Sequence, residues 1–114
     1  MVKLIVCVKR RPDMDVEEVY QYCRTSHGEL IKSIPGPSKY VRKYIQGNTV
    51  PQAYERNEAP FDGVAELWFD DMAAVDGFFA DPDYITKVRL DERKFTDHTN
   101  LAWFVTKEEP IIEG

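Results

Sequence analysis

The order of its hydrophobic patterns constrains this chain more than any other feature. Four short runs rich in β-branched and aromatic residues alternate with stretches of helical spacing, in the order strand, helix, strand, strand, helix, strand. Leu4, Val6 and Val8 alternate with Ile5, Cys7 and Lys9, and Arg11-Pro12-Asp13 ends that run. Asp15 and Glu18 form a capping-box pattern. Val16, Val19, Tyr20, Cys23, Leu30, Ile31 and Ile34 then recur at helical spacing until Pro35-Gly36-Pro37. Tyr40 to Gln46 reads as the second strand and Val64 to Phe69 as the third. Asp70 or Asp71 caps a short helix carrying Val75, Phe78 and Phe79. Asp81-Pro82 opens another that carries Ile85, Val88 and Phe95. Leu101 to Thr106 is the last strand. This order predicts an α+β fold, a ferredoxin-like βαββαβ sandwich with helices on one face of a four-stranded sheet. Residues 47–61 are expected to form an irregular loop, a candidate lid.

A length of 114 residues fits one domain, 1–114, with a modest core that pairing would reinforce. A net charge of −5, with 15 basic residues scattered among 20 acidic ones, argues against nucleic acid and against an anionic membrane surface. The third strand is acidic where an RNA-binding sheet would be basic. Cys7 and Cys23 form no CxxC pair and read as small hydrophobes in a reducing compartment, so the cytoplasm is the expected location. The N-terminal apolar run turns basic at Lys9, which does not suit a signal peptide, and no run approaches membrane-spanning length. Two histidines without paired spacing and no cysteine cluster predict no metal site.

If the purely apolar strand faces meet the helices (Leu4/Val6/Val8, Val41/Ile45, Ala65/Leu67/Phe69), the opposite face carries Ile5, Cys7, Tyr40, Arg42, Tyr44, Glu66 and Trp68. Large aromatics with a few polar groups suit a ligand-pocket wall enclosed by a second subunit. The same face also suits a plain dimer contact with one Arg42–Glu66 pair. His27 lies on the first helix's apolar stripe, four residues after Cys23, and is expected to point at the sheet.

The segments KLIVCVKRRPDM, SHGELIKSIPGPSKY, DGVAELWFDD (62–71) and DERKFTDH (91–98) resemble the EthD family of dimeric α+β barrel proteins. The likeness spans roughly residues 2–107. The chain is also similar to methylmuconolactone methylisomerases of the same superfamily in H…PG…KY, the Gly47-Asn48 turn and the E-x-W-F strand. The resemblance implies a homodimer whose sheets form a barrel, with one cofactor-free pocket per subunit. It also implies chemistry that isomerises lactones, cyclises or decarboxylates polyketides, or oxidises phenolic compounds without a metal. Tyr44 stands near the place where relatives often carry a second histidine.

On the residues alone, a histidine on an apolar stripe is a core residue; the resemblance makes His27 the proton-moving group. Tyr44 and Tyr40 can polarise a substrate oxygen, or simply pack. Arg42 can orient an acid group or pair with Glu66, and Trp68 can stack on a substrate or fill a dimer core. Glu66 and Cys7 complete the expected wall, and Asp97-His98 reads as surface or capping. The expected function is therefore a cofactor-independent isomerase, cyclase or decarboxylating lyase acting on a small aromatic, lactone or polyketide-like molecule. A non-catalytic binding or accessory protein and a cofactor-free monooxygenase remain as alternatives.

Overall fold

A computed structural model of the chain describes residues 1–56 and 59–113. Strands β1 (Val2–Val8), β2 (Lys43–Asn48), β3 (Gly63–Phe69) and β4 (Ala102–Thr106) form one sheet in the order β2-β3-β1-β4, with every neighbouring pair antiparallel. This is the ferredoxin-like arrangement expected from the element order. Between β1 and β2 run α1 (Val16–Tyr22), a π-helical turn (Cys23–His27), α2 (Gly28–Ser33) and a short α3 (Pro35–Ser38). Between β3 and β4 run α5 (Met72–Ala80), a second π turn (Tyr84–Val88), α6 (Arg89–Glu92) and a 3-10 turn (His98–Asn100). The capping box is present: Asp15 accepts from the Glu18 N–H at 2.8 Å while Glu18 accepts from the Asp15 N–H at 3.2 Å. Asp71, not Asp70, caps α5 by accepting from the Ala74 N–H at 2.9 Å. Within the described residues no helix is long and apolar enough to cross a membrane.

The core lies between the sheet and the helices. Leu4, Leu67 and Phe69 meet Ile31, Ile34, Val75, Phe78, Tyr84 and Val88 there. Phe69 and Val88 have no exposed surface, and each such side chain contributes about 1.5–3 kcal/mol of burial.

Strand register overturns one expectation. Tyr44 stands opposite Leu67, which stands opposite Leu4, so Tyr44 is on the helix side. Gln46 follows it there, opposite Ala65. Ile45 is opposite Glu66 and lies on the open face with Ile5 and Phe104; Ile45 is 43% exposed. Strand parity admits one face or the other, and a one-residue difference moves every side chain across the sheet. The core accepts Tyr44 and Gln46 because their polar ends satisfy each other, whereas hydrophobicity alone would have chosen Ile45.

The remaining departures are local. The second strand starts at Lys43 rather than Tyr40, because Tyr40 leaves the sheet to pack against Gly77 of α5. The expected loop 47–61 contains a helical turn, α4 (Pro51–Arg56); residues 57 and 58 of that expectation lie outside the described ones. In the last helical stretch Tyr84 is buried and Ile85 is 44% exposed, the reverse of the expected stripe.

Candidate functional site

His27 ends the first π turn. The Gly28 N–H closes back onto the Cys23 carbonyl five residues earlier, instead of the four of an α-helix. That carbonyl also accepts from the Gln46 side-chain amide at 2.8 Å, which ties the widened turn to β2. His27 is only 6% exposed, and its ring meets that of Phe95 edge to face, with the ring centres 5.0 Å apart. Its Nδ1 lies 2.8 Å from Asp91 Oδ2. Asp91 is itself buried and accepts at Oδ1 from the Tyr22 hydroxyl at 2.5 Å.

The charge states follow from these contacts. Burial alone would raise the Asp91 carboxyl, but the hydrogen bonds from Tyr22 and His27 more than reverse this and hold it below the usual carboxylate range. An ionised carboxylate only accepts, so Nδ1 of His27 carries the hydrogen and Nε2 keeps its lone pair. Burial lowers the His27 pKa, and Asp91 opposes that without overcoming it. The resting pair is thus a neutral imidazole oriented by a carboxylate.

His27 lines a cavity of about 70 Å³ between the sheet and the helices. Its walls are mainly apolar: Leu4, Val6 and Leu67 from the sheet, and Ile31, Phe78, Phe79 and Phe95 from the helical layer. Tyr44, Gln46, Tyr84, Glu92 and Cys23 add polar atoms to the same lining. Tyr44 Oη accepts from the Gln46 amide at 2.9 Å, and burial raises the phenol to about 12, so it stays a neutral donor. Burial likewise raises the Cys23 thiol to about 12, which makes it a poor nucleophile. Glu92 accepts from the Tyr84 hydroxyl at 3.5 Å, and burial raises its carboxyl to about 7.

At the β3 end of the lining, Asp62 is 1% exposed. It accepts from the Arg10 backbone N–H at 2.8 Å, from Arg10 Nη1 at 2.7 Å and from the Tyr54 hydroxyl of α4. Tyr20 donates to the Thr49 carbonyl at 2.5 Å. These contacts fasten segment 49–56 beside the cavity.

Of the residues singled out in the sequence, only His27 and Tyr44 meet in this cavity. Tyr40 packs on α5 outside it. Arg42 does not pair with Glu66; it forks onto the exposed Asp70, with Nη2 2.8 Å from Oδ2. Glu66 sits 3.7 Å from Lys3 Nζ instead. Glu66, Trp68 and Cys7 all point from the open face of the sheet, and Trp68 donates to Glu108 at 2.6 Å beneath the Lys3 and Lys43 ammonium groups. The pocket wall expected on that face is therefore on the other side of the sheet. Asp97 caps the 3-10 turn and His98 is exposed, as expected.

Sequence reasoning missed Asp91, Glu92, Tyr84 and Gln46. A signal was available: Tyr84, Val88, Asp91 and Phe95 follow helical spacing, which puts an acid on the stripe that faces the first helix. Among the described residues no group of three or more His, Cys, Asp or Glu side chains is placed to hold a metal ion.

The profile of the EthD domain matches residues 11–99. The chain belongs to the EthD family. No curated protein matches the sequence. Among solved structures, an EthD family protein from Bacillus halodurans is 22% identical, with a TM-score of 0.69 over 96% of this chain and 99% of that one. A dimeric protein of unknown function and ferredoxin-like fold from Bacteroides fragilis is 20% identical, with a TM-score of 0.67 over 94% and 95%. An antibiotic biosynthesis monooxygenase is 19% identical, with a TM-score of 0.60 over 96% and 100%. At these identities the likeness establishes the ferredoxin-like fold that this EthD chain shares with them.

Proposed function

We propose that this EthD protein is an acid/base enzyme of small-metabolite metabolism that isomerises, cyclises or decarboxylates its substrate in the cavity between sheet and helices. The observation that carries the reading is the His27–Asp91 pair at 2.8 Å, buried against an apolar cavity. A neutral imidazole with its Nδ1 hydrogen held by a carboxylate is oriented to take a proton at Nε2, and the carboxylate stabilises the imidazolium that forms. Tyr44 supplies a neutral hydroxyl beside it that can steady a developing oxyanion. A cavity of about 70 Å³ favours a substrate of few heavy atoms, or one that enters as lining side chains turn. The reaction is proposed to need no cofactor.

The homodimer belongs to the same proposal. Ile45 and Phe104, 43% and 50% exposed, lie with Trp68 on the open face of the sheet, where a second copy would cover them. The Bacteroides relative is described as dimeric. A monooxygenase reading draws on the name of one structural neighbour and predicts oxygen-dependent turnover; the acid/base reading predicts turnover without oxygen.

The test is to compare wild type with His27→Ala against small lactones, phenols and ketones, reading thermal shifts and products by mass spectrometry under nitrogen and under air. The reading predicts anaerobic turnover by wild type and none by the variant. Equal turnover by both would remove His27 from the mechanism. Ligand-induced shifts without turnover would favour a binding protein.

A further inference from the structure

The cavity holds a second ionisable group that the acid/base reading leaves unused. Glu92 sits on the turn of helix after Tyr84, one residue beyond the Asp91 that orients His27, and lines the same cavity. Four groups bear on its charge: the Tyr84 hydroxyl at 3.5 Å, the Arg89 guanidinium, the Asp91 carboxylate, and the Tyr44 phenol from β2. Only the first two favour its ionised form, and burial outweighs them, so near neutrality a large share of the carboxyl carries its proton. The described residues lining the cavity include two carboxyls, Asp62 and Glu92, and neither Lys nor Arg. Such a lining has nothing to balance a substrate carboxylate, and burying an unpaired anion there would be costly.

We propose that Glu92 is the proton donor that works opposite His27, and that the substrates are uncharged carbonyl compounds with an acidic C–H beside the carbonyl. The inference rests on the acid/base reading of His27. In the forward step His27 Nε2 takes a proton from the carbon next to the carbonyl, and the C–H bond breaks. Its electron pair becomes the new C=C bond. The carbonyl π pair moves to oxygen, which receives the Glu92 proton and forms an O–H bond. Glu92 is left as carboxylate and His27 as imidazolium, the latter balanced by Asp91. The reverse step returns a proton to carbon, at the same atom or at a conjugated one, so the pair catalyses enolisation or migration of a double bond with no oxidant or reductant. A donor beside the oxygen and a base beside the carbon avoid a free enolate in an apolar site.

The test is hydrogen–deuterium exchange next to the carbonyl in D2O, followed by proton NMR with two probes of similar size: uncharged pentan-2-one and anionic 4-oxopentanoate. Wild type is expected to accelerate exchange of pentan-2-one and to leave 4-oxopentanoate at the background rate. Glu92→Gln keeps the side-chain shape and an acceptor for Tyr84; it is expected to slow exchange by about 100-fold or more, the size of a general-acid contribution. His27→Gln is expected to abolish exchange. Exchange that survives in Glu92→Gln but not in His27→Gln overturns this inference and leaves the His27 reading standing. Survival in both variants overturns both readings. No exchange of pentan-2-one by wild type, or equal exchange of the anion, overturns the substrate class. Wild type also supplies a check that needs no variant: its rate should fall as pH rises through about 7, and a rate that holds to high pH overturns the donor role.

Discussion

Replacing Glu92 with Gln should make the protein more stable at alkaline pH while changing little in acid. The magnitude follows from burial. The carboxyl's ordinary value of 4.5 rises to about 7 in the folded chain, and each pH unit of displacement is worth about 1.4 kcal/mol. Below the unfolded value the group is protonated in both states and costs the fold nothing as a charge. Between the two values the folded chain holds a proton that the unfolded chain has released, so stability falls as pH rises. Above the folded value the full cost of burying the carboxylate is present, about 3 kcal/mol by this arithmetic. That is a large share of the roughly 5–15 kcal/mol that stabilises a domain. Gln does not titrate, so the variant escapes this loss. Urea unfolding at one protein concentration, from pH 4 to 8.5, should show curves that nearly coincide in acid and separate progressively toward the alkaline end, with Glu92→Gln the more stable. His27, Asp62 and Asp91 have lowered values in the fold and act in the opposite sense, losing stability as pH falls; their contributions are shared by both proteins and cancel in the difference. A constant difference across the range would refute the reasoning, because it would mean that Glu92 is solvated as freely in the folded chain as in the unfolded one.

Other outcomes are expected elsewhere in the molecule. Asp91→Asn removes the carboxylate that supports the imidazolium, so the His27 pKa should fall further below its ordinary value, read by NMR titration of the ring protons, and any turnover should drop about 100-fold or more. Gly77→Ala would set a Cβ 2.7 Å from the Tyr40 ring; despite alanine's better helix propensity it should cost about 1–3 kcal/mol in denaturant melts, and Tyr40→Ala in the same chain should relieve much of that clash. Ile45→Asp places a charge on the open face, on its edge strand β2; on the proposed pairing it should shift the species measured by light scattering from dimer to monomer while leaving the far-UV circular dichroism unchanged.

Much of the fold was legible because several signals agree locally. Asp15 with Glu18, Asp81 with Pro82 and the alternation in Leu4–Val8 each fix an element without reference to distant contacts. The second strand was not legible in this way. Tyr44 and Ile45 compete for one buried position, and the choice of Tyr44 depends on Gln46 and the Cys23 carbonyl, which lie close only after folding. His27 could be placed from spacing, because it shares a stripe with Cys23 and Ile31. Asp91 could not be paired with it, since 64 residues separate the two in sequence and a buried acid is rare enough that the surface is its default reading. Glu92 was missed for the same reason. Arg42 was left either to orient a substrate acid group or to pair with Glu66; Asp70, two residues beyond the partner strand's Trp68, offered the guanidinium a carboxylate in solvent at less desolvation cost.

Both helical segments that link the strands contain a π turn, the first ending at His27 and the second just ahead of Asp91 and Glu92. A π turn accommodates an extra residue within a helix that continues on either side. Removing one residue from either turn would take out that extra residue and let the helix close as a regular α-helix with its two flanks held nearly in register, whereas the same deletion in a regular stretch would swing everything beyond it by about 100° and shift it by about 1.5 Å. The two turns are therefore the points where these helical segments can lose a residue with least disturbance to the packing beyond them. In related chains, a gain or loss of a single residue there would change the widened backbone beside His27, or ahead of Asp91 and Glu92, while the rest of the fold keeps its register, so length changes at these two points are a route to altered chemistry that residue-by-residue comparison would overlook.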